Sequence, residues 1–214
     1  ERVERICGID NICIAIPKGI KHDPIANALP STVEVFRGDE HDVLSRTLGA
    51  ARHMGSKNVM RLTSDCPVID PEVSGAVLKA FDRSEVVYAR TALSSGYPHG
   101  FDTEVFTTEA LAMAYDEALA PYEREHVTPF IWQQPERFPA LELDYRPDRR
   151  HWRLTVDTQN DYDLAKVIYE RLYASNPSFG FSALEKLFAD EPRLLKINRN
   201  EARENTVDIA GAKR

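Results

Sequence analysis

Two spacings of apolar residues alternate along this chain. Short runs with the character of β-strands are found at 11–17, 33–38, 58–65, 85–90, 140–145 and 152–158. Between them, apolar residues recur three or four positions apart, as Leu164, Val167, Ile168 and Leu172 do, and so share one face of a helix. Strands that alternate with helices predict an α/β fold, a three-layer sandwich whose mainly parallel central sheet is covered by helices on both faces.

Capping residues and prolines predict where several helices begin and end. Asp70 and Pro71 indicate a helix start, because the carboxylate accepts from free backbone N–H groups and a proline at the first helical position loses no hydrogen bond. Thr107 is placed to cap the helix that follows the strand in 101–119, and Pro129 predicts an early break in the helical segment 123–134. The first residues, ERVERIC, are typical of the end of a helix.

Composition and charge narrow the class of protein. With 214 residues and 43% hydrophobic side chains, one domain is expected. The net charge of −7 and the lack of a basic stripe argue against a nucleic-acid partner. No apolar run is long enough to cross a bilayer, so no membrane partner is expected. The odd number of cysteines, without a paired spacing, indicates a reducing, cytoplasmic compartment.

Two aspartates stand where predicted strands end. Asp65 closes the run 58–65, and Asp157 follows the apolar run WRLTV. In parallel sheets, ligands bind beyond the carboxyl ends of the strands, and paired carboxylates suit a hard cation such as Mg²⁺. Each aspartate alone is more simply a helix cap, but the equivalent placement of the two favours a shared metal site.

Five motifs in order resemble a known family: FRGDEHDVLSR, RLTSDCPVIDP, YPHGFDTEVF, EREHVTPFI and LTVDT. They are similar to the spore-coat polysaccharide cytidylyltransferases, nucleotidyltransferases that are related more distantly to the acylneuraminate cytidylyltransferases. The similarity runs from Glu1 to about residue 198, so we expect a nucleotidyltransferase domain over 1–198 and a polar tail over 199–214. The implied fold is Rossmann-like, of the glycosyltransferase-A type.

The resemblance implies an enzyme that transfers a cytidylyl group from CTP to a sugar or sugar acid with release of pyrophosphate, in surface polysaccharide or glycan synthesis. It implies Mg²⁺ held by Asp65 and Asp157 as the catalytic metal ligands, and it suggests a homodimer. Guanidinium forks match phosphate oxygens, and the predicted nucleotide contacts are Arg37, Asp42, Arg46 and Arg61. The predicted acceptor contacts are Asp102, Glu104 and His126, of which His126 is more simply explained as a structural residue. Arg46 is equally explained as part of a solvated helix face.

The chain differs from the family pattern at its start. Members open with a strand and a loop of small and basic residues that wraps the triphosphate, and here only the end of the following helix is present. We therefore expect the chain as printed not to turn over CTP by itself. Two alternatives stay open, a non-catalytic domain of the same fold and a sugar-nucleotide transferase that uses another nucleoside triphosphate.

Overall fold

The computed structural model describes residues 1–91 and 93–201. The strands are β1 (Cys13–Pro17), β2 (Glu34–Gly38), β3 (Asn58–Leu62), β4 (Tyr88–Thr91), β5 (Thr103–Thr107) and β6 (Ala140–Leu143). The helices are α1 (Asp23–Asn27), α2 (Val43–His53), α3 (Pro71–Asp82), α4 (Thr108–Glu117), α5 (Pro121–His126), α6 (Pro129–Trp132), α7 (Gln159–Leu172) and α8 (Phe181–Asp190). Short 3₁₀ helices lie at Val3–Arg5, Ile20–His22, Leu93–Ser95 and Pro192–Lys196.

The strands of the described residues form two sheets. β1 and β2 pair in parallel, and the second sheet has the order β3-β5-β4-β6. In that sheet β5 is antiparallel to both β3 and β4, while β4 and β6 are parallel, so three strands point one way and only β5 is reversed. The α/β fold expected from the sequence is confirmed, and the reversal of β5 is a feature that the pattern did not predict.

Helices cover both faces of the four-stranded sheet. Tyr88 and Phe106 lie opposite each other and pack with residues of α2, α4 and α6. The next pair along the strands, Ala89 and Val105, packs with α3 on the other face, because successive residues of a strand point to opposite sides. A third apolar cluster gathers around Trp152, α7 and α8. In the part of the chain that the structure describes, no helix combines the length and the apolar character that crossing a membrane requires.

The predicted helix ends agree with the structure, and one predicted strand does not. α3 begins at Pro71 behind the cap Asp70, Thr107 caps α4, and Pro129 separates α5 from α6. The segment 152–158 is not a strand and forms only an isolated bridge between Arg153 and His99. Its backbone groups bond to loop residues, so no strand lies beside it to complete a ladder. Of the predicted tail over 199–214, residues 202–214 lie outside the described residues.

Asp70 ties two helices together at their starts. One carboxylate oxygen accepts from the N–H groups of Glu72 and Val73 at 2.8 and 2.9 Å, and the other accepts from the N–H of Phe181, the first residue of α8, at 2.6 Å. The residue is only 2% exposed. Because three backbone donors, one of them buried, depend on this one carboxylate, its loss leaves all three without this partner.

We expect Asp70→Ala to lower the free energy of unfolding by about 3 kcal/mol, since it removes a cap and also leaves a buried N–H of α8 unpaired. Thr107→Ala is the matched control, because the Thr107 hydroxyl accepts only from the N–H of Ala110 within the part of the chain that the structure describes, and its loss should cost about 1 kcal/mol. Urea denaturation measures both values. Equal losses in the two variants would contradict the role of Asp70 as a tie between helices.

Candidate active site

Asp65 and Asp157 lie at the same edge of the molecule. Asp65 follows β3, and its carbonyl oxygen accepts from the N–H of Val156 at 2.8 Å. The segment that carries Asp157 therefore runs beside the segment that carries Asp65. This contact supports the expectation that both aspartates lie at the carboxyl edge of the sheet. Their role as metal ligands stays a prediction.

Arg153 holds Asp157 from inside the protein. Oδ2 of Asp157 accepts from Nη2 of Arg153 at 2.5 Å and from the Thr155 hydroxyl at 3.2 Å. Arg153 is 6% exposed and Asp157 is 34% exposed, so the ion pair reaches from the interior to the surface of the site. Among the described residues, no donor contacts Oδ1 of Asp157. One oxygen is thus fixed by the protein and the other is available to a ligand.

Asp161 is the second partner of Arg153. It accepts from Nε and Nη2 at 2.9 Å each, and Asn198 donates to it at 2.7 Å. Burial alone would raise the pKa of Asp161, but the hydrogen bonds from Arg153 and Asn198 and from two backbone N–H groups lower this pKa to about 2. Sequence reasoning missed both Arg153 and Asp161. Two signals were present, a charge inside the apolar run WRLTV and an aspartate three residues after a capping Thr158.

Asp102 and Cys66 are two further groups whose pKa values are affected by the charge of Asp65. Oδ2 of Asp102 accepts from the N–H of Gly100 at 2.9 Å. Burial raises the pKa of Asp102, and the negative charges of Glu104 and Asp65 act in the same direction. Burial also raises the pKa of the Cys66 thiol, with further contributions from the charges of Asp65 and Asp102, so the thiol stays protonated near neutral pH. Cys66 is buried, and its Sγ lies 3.7 Å from Oδ1 of Asp65.

A row of alternating charges crosses the four-stranded sheet one step before its carboxyl edge. Arg61 of β3 lies opposite Glu104 of β5, Glu104 lies opposite Arg90 of β4, and Arg90 lies opposite Glu142 of β6. Nη1 of Arg61 donates to Glu104 at 2.6 Å, and Nε of Arg90 donates to Glu142 at 2.8 Å. Arg61 therefore has a charged partner within the sheet.

The remaining predicted nucleotide contacts have partners of their own. Arg37 pairs with Asp23 at 2.6 Å. Asp42 caps α2 through the N–H of Ser45 and pairs with Arg124 at 2.5 Å, so its contacts are those of a structural residue. Nη1 of Arg46 donates to the carbonyl oxygens of Asp39 and Glu40. Contacts of these residues with a nucleotide remain predictions.

His126 ends α5 beside an unusual turn. The N–H of Thr128 donates to the His126 carbonyl oxygen at 2.9 Å, which closes a three-residue turn around Val127. The φ of Val127 is 74°, a conformation that β-branched residues rarely adopt. The turn brings the Thr128 hydroxyl onto Glu104. His126 itself is half-buried, and contact between its side chain and an acceptor remains a prediction.

The carboxylate oxygens of Asp65 and Asp157 suit a magnesium ion that also binds substrate. Asp65 offers a carboxylate whose only side-chain contact among the described residues is the weak donor Cys66 Sγ at 3.7 Å, and Asp157 offers Oδ1. Within residues 1–91 and 93–201 there is no cluster of three or more His, Cys, Asp or Glu side chains that could hold a metal. Two carboxylates are sufficient for Mg²⁺ when waters and substrate phosphates supply the other oxygens.

Solved nucleotidyltransferases of the Rossmann-like type share this fold. A cytidylyltransferase from Leptospira borgpetersenii has a similar structure, with a TM-score of 0.83 over 95% of this chain and 86% of that chain at 24% identity. CMP:2-keto-3-deoxy-manno-octonic acid synthetase, solved with CTP, has a TM-score of 0.55 over 79% of this chain and 86% of that chain at 12% identity. At these identities the similarity establishes the fold.

Sequence relatives identify the family. The family model for cytidylyltransferases matches residues 1–197. The spore coat polysaccharide biosynthesis protein SpsF of Bacillus subtilis is 31% identical over 189 residues, which cover 86% of this chain and 76% of SpsF. The uncharacterized protein MJ1063 of Methanocaldococcus jannaschii is 32% identical over 168 residues, 77% of this chain and 68% of that protein. The chain belongs to the cytidylyltransferase family, and it is a nucleotidyltransferase.

The low pKa of Asp161 predicts a loss of stability in acid. Because this pKa is about 2 in the folded protein, below the ordinary value of 3.8, the stabilisation by Asp161 is complete above about pH 4 and is lost as the pH falls towards 2. Asp161→Asn should therefore flatten the pH dependence of the melting temperature between pH 4 and 2. It should also cost about 3 to 5 kcal/mol near neutral pH, since Arg153 loses a buried partner.

Melting curves of both proteins from pH 2 to 7 test this expectation. Asp163→Asn is the control, because Asp163 is exposed on α7 and accepts only from Gln159 among the described residues. An unchanged acid slope in Asp161→Asn would show that other carboxylates cause the acid sensitivity.

Proposed function

We propose that this enzyme transfers a cytidylyl group from CTP to a hydroxyl of a sugar or sugar acid, with release of pyrophosphate. Membership of the cytidylyltransferase family supports CTP as the donor. The similarity to SpsF, named for spore coat polysaccharide biosynthesis, supports an acceptor destined for a surface polysaccharide or glycan. The structural observation that supports the proposal is the backbone hydrogen bond from the N–H of Val156 to the carbonyl oxygen of Asp65, which brings the segment that carries Asp157 beside Asp65.

In the proposed reaction, an acceptor oxygen attacks the α-phosphorus of CTP and the bond from this phosphorus to the bridging oxygen breaks. Pyrophosphate leaves, and the hydroxyl proton passes to solvent or to a nearby base. A bound Mg²⁺ would neutralise charge on the phosphates as pyrophosphate departs. The protein contributes mainly by positioning groups and by supplying charge, as other phosphoryl transfers require.

Each group at the edge has a part in this scheme. Asp65 and Asp157 would hold the metal, with Arg153 fixing one oxygen of Asp157 so that the other points to a ligand. Arg46 and Arg61 would bind phosphate oxygens, for which guanidinium groups are suited. Asp102 and His126 would contact acceptor hydroxyls. A cytoplasmic location remains the prediction made from the unpaired cysteines, and all three are free thiols in the structure.

We expect Asp65→Asn and Asp157→Asn each to reduce magnesium-dependent pyrophosphate release about 100-fold or more, since each removes one charge from the metal site. Folding should survive. Among the described residues, the Asp65 side chain contacts only the weak donor Sγ of Cys66. The half-exposed ion pair of Asp157 contributes at most about 1 kcal/mol. If the aspartates were only caps, asparagine would replace them with little loss of activity.

The measurement is pyrophosphate release by the full gene product with each of the four nucleoside triphosphates and a panel of sugars and sugar acids. Asp163→Asn is again the control. Isothermal titration with Mg²⁺ in the presence of CTP separates lost metal binding from other causes of inactivity. Release from another triphosphate in preference to CTP would favour the related sugar-nucleotide transferases, and release from none would overturn the proposal.

The homodimer suggested by the family resemblance is also a proposal. We expect light scattering of the purified protein to give twice the mass of 24.2 kDa calculated for the chain of 214 residues. A monomer mass at high protein concentration would contradict it.

A further inference from the structure

Protein donors occupy both oxygens of Glu104. Oε2 accepts from Nη1 of Arg61 at 2.6 Å. Oε1 accepts from the Tyr88 hydroxyl at 2.6 Å and from the Thr128 hydroxyl. The Glu104 side chain is 13% exposed, while Tyr88 and Thr128 are buried. These contacts favour a role in which Glu104 positions other side chains over direct contact with an acceptor hydroxyl.

Arg61 is the partner of Glu104 that has hydrogen-bonding capacity left. A guanidinium group has five N–H donors, and Glu104 is the only acceptor that Arg61 contacts among the described residues. Its side chain is 21% exposed, so a ligand can reach it. An arginine whose position is fixed by a carboxylate on one side is prepared to bind phosphate oxygens on the other.

Arg46 is the second arginine that the proposed function assigns to phosphate oxygens. It is fixed by Nη1, which donates to the carbonyl oxygens of Asp39 and Glu40. Burial lowers the pKa of Arg46, and the charge of Arg61 contributes in the same direction.

A strained turn at Val127 places a donor on the Glu104 oxygen that Arg61 does not contact. Val127, a buried β-branched residue, has φ 74° and ψ −55°. This conformation is unfavourable for valine, and such strain persists where the surrounding structure enforces it, often at functional sites. Here it allows the adjacent Thr128 to donate to Glu104. The motif EREHVTP is thereby connected to Arg61 through one carboxylate.

We propose that Glu104 is a positioning residue for phosphate binding: it fixes Arg61, and the turn at Val127 fixes Glu104. The ligand class is a polyphosphate, and the inference rests on the proposed function in taking that polyphosphate to be the triphosphate of CTP. Glu104 would act entirely through Arg61. Replacing Glu104 should therefore leave phosphate affinity unchanged when Arg61 has already been replaced by a residue without a guanidinium group.

A double-mutant cycle on the full gene product tests this, with inorganic tripolyphosphate and CTP as probes in isothermal titration. Glu104→Gln keeps the shape of the side chain but removes the charge that pairs with Arg61, and we expect it to weaken tripolyphosphate binding about tenfold. Arg61→Lys should weaken binding at least as much, because lysine lacks the planar fork. Adding Glu104→Gln to Arg61→Lys should change the affinity by less than about twofold.

Tyr88→Phe is the matched control. It removes a neutral donor from the same carboxylate but leaves Arg61 paired, so we expect a lower melting temperature with an unchanged affinity for tripolyphosphate. In turnover, Glu104→Gln should raise KM for CTP more than it lowers kcat. If Glu104→Gln does not fold, Glu104→Asp, which withdraws the charge by one methylene, takes its place in the cycle.

The outcomes separate this inference from the proposed function. A full tenfold effect of Glu104→Gln in the Arg61→Lys background, or no effect in the native background, would overturn the positioning role while leaving CTP turnover intact. Tripolyphosphate binding that follows the expected cycle, without binding or turnover of CTP, would support the positioning role and refute the function. A native protein that binds neither probe would refute both.

Discussion

Charges embedded in a sheet need partners, and this requirement organises the edge where the candidate site lies. The row from Arg61 through Glu104 and Arg90 to Glu142 alternates in sign across all four strands. Opposite charges on directly facing residues stabilise strand pairing, whereas like charges would weaken it. The reversed strand β5 is essential to the row, because it places Glu104 between two arginines. One face of the sheet is therefore polar close to its carboxyl edge and apolar deeper in, where Tyr88 and Phe106 pack.

A second buried charge, that of Arg153, shapes the loop on the other side of the site. Asp157 and Asp161 neutralise it, and Asn198 donates to both the Arg153 carbonyl oxygen and Asp161. An unpaired guanidinium at this depth would be strongly destabilising, so the segment must adopt a path that keeps both aspartates within reach. That path also presents Val156 to Asp65. The placement of the two predicted metal ligands thus depends on the pairing of Arg153 with Asp157 and Asp161.

The sequence is informative where structure depends on near neighbours and uninformative where it depends on distant ones. The start of α3 at Pro71 follows from Asp70 and its neighbours alone, so it could be predicted. The segment 152–158 has the apolar character of a strand and is partly buried. Its long-range backbone hydrogen bonds go to His99 and Asp65, more than 50 residues away in the chain. No local sequence pattern predicts such partners. The direction of β5 is likewise set by pairing with β3 and β4.

The same limit applies to the roles of the site carboxylates. Asp157 and Glu104 both lie within family motifs, and each accepts a hydrogen bond from an arginine at one carboxylate oxygen. What separates them is the number of further donors. Glu104 receives two hydroxyl groups on its other oxygen, so its capacity is used within the protein. Oδ1 of Asp157 receives none from the described residues and lies in a more exposed side chain, so only Asp157 retains an oxygen for a cation. The residue type and spacing predict that a carboxylate is present, but its remaining hydrogen-bonding capacity decides whether it serves the ligand or the scaffold.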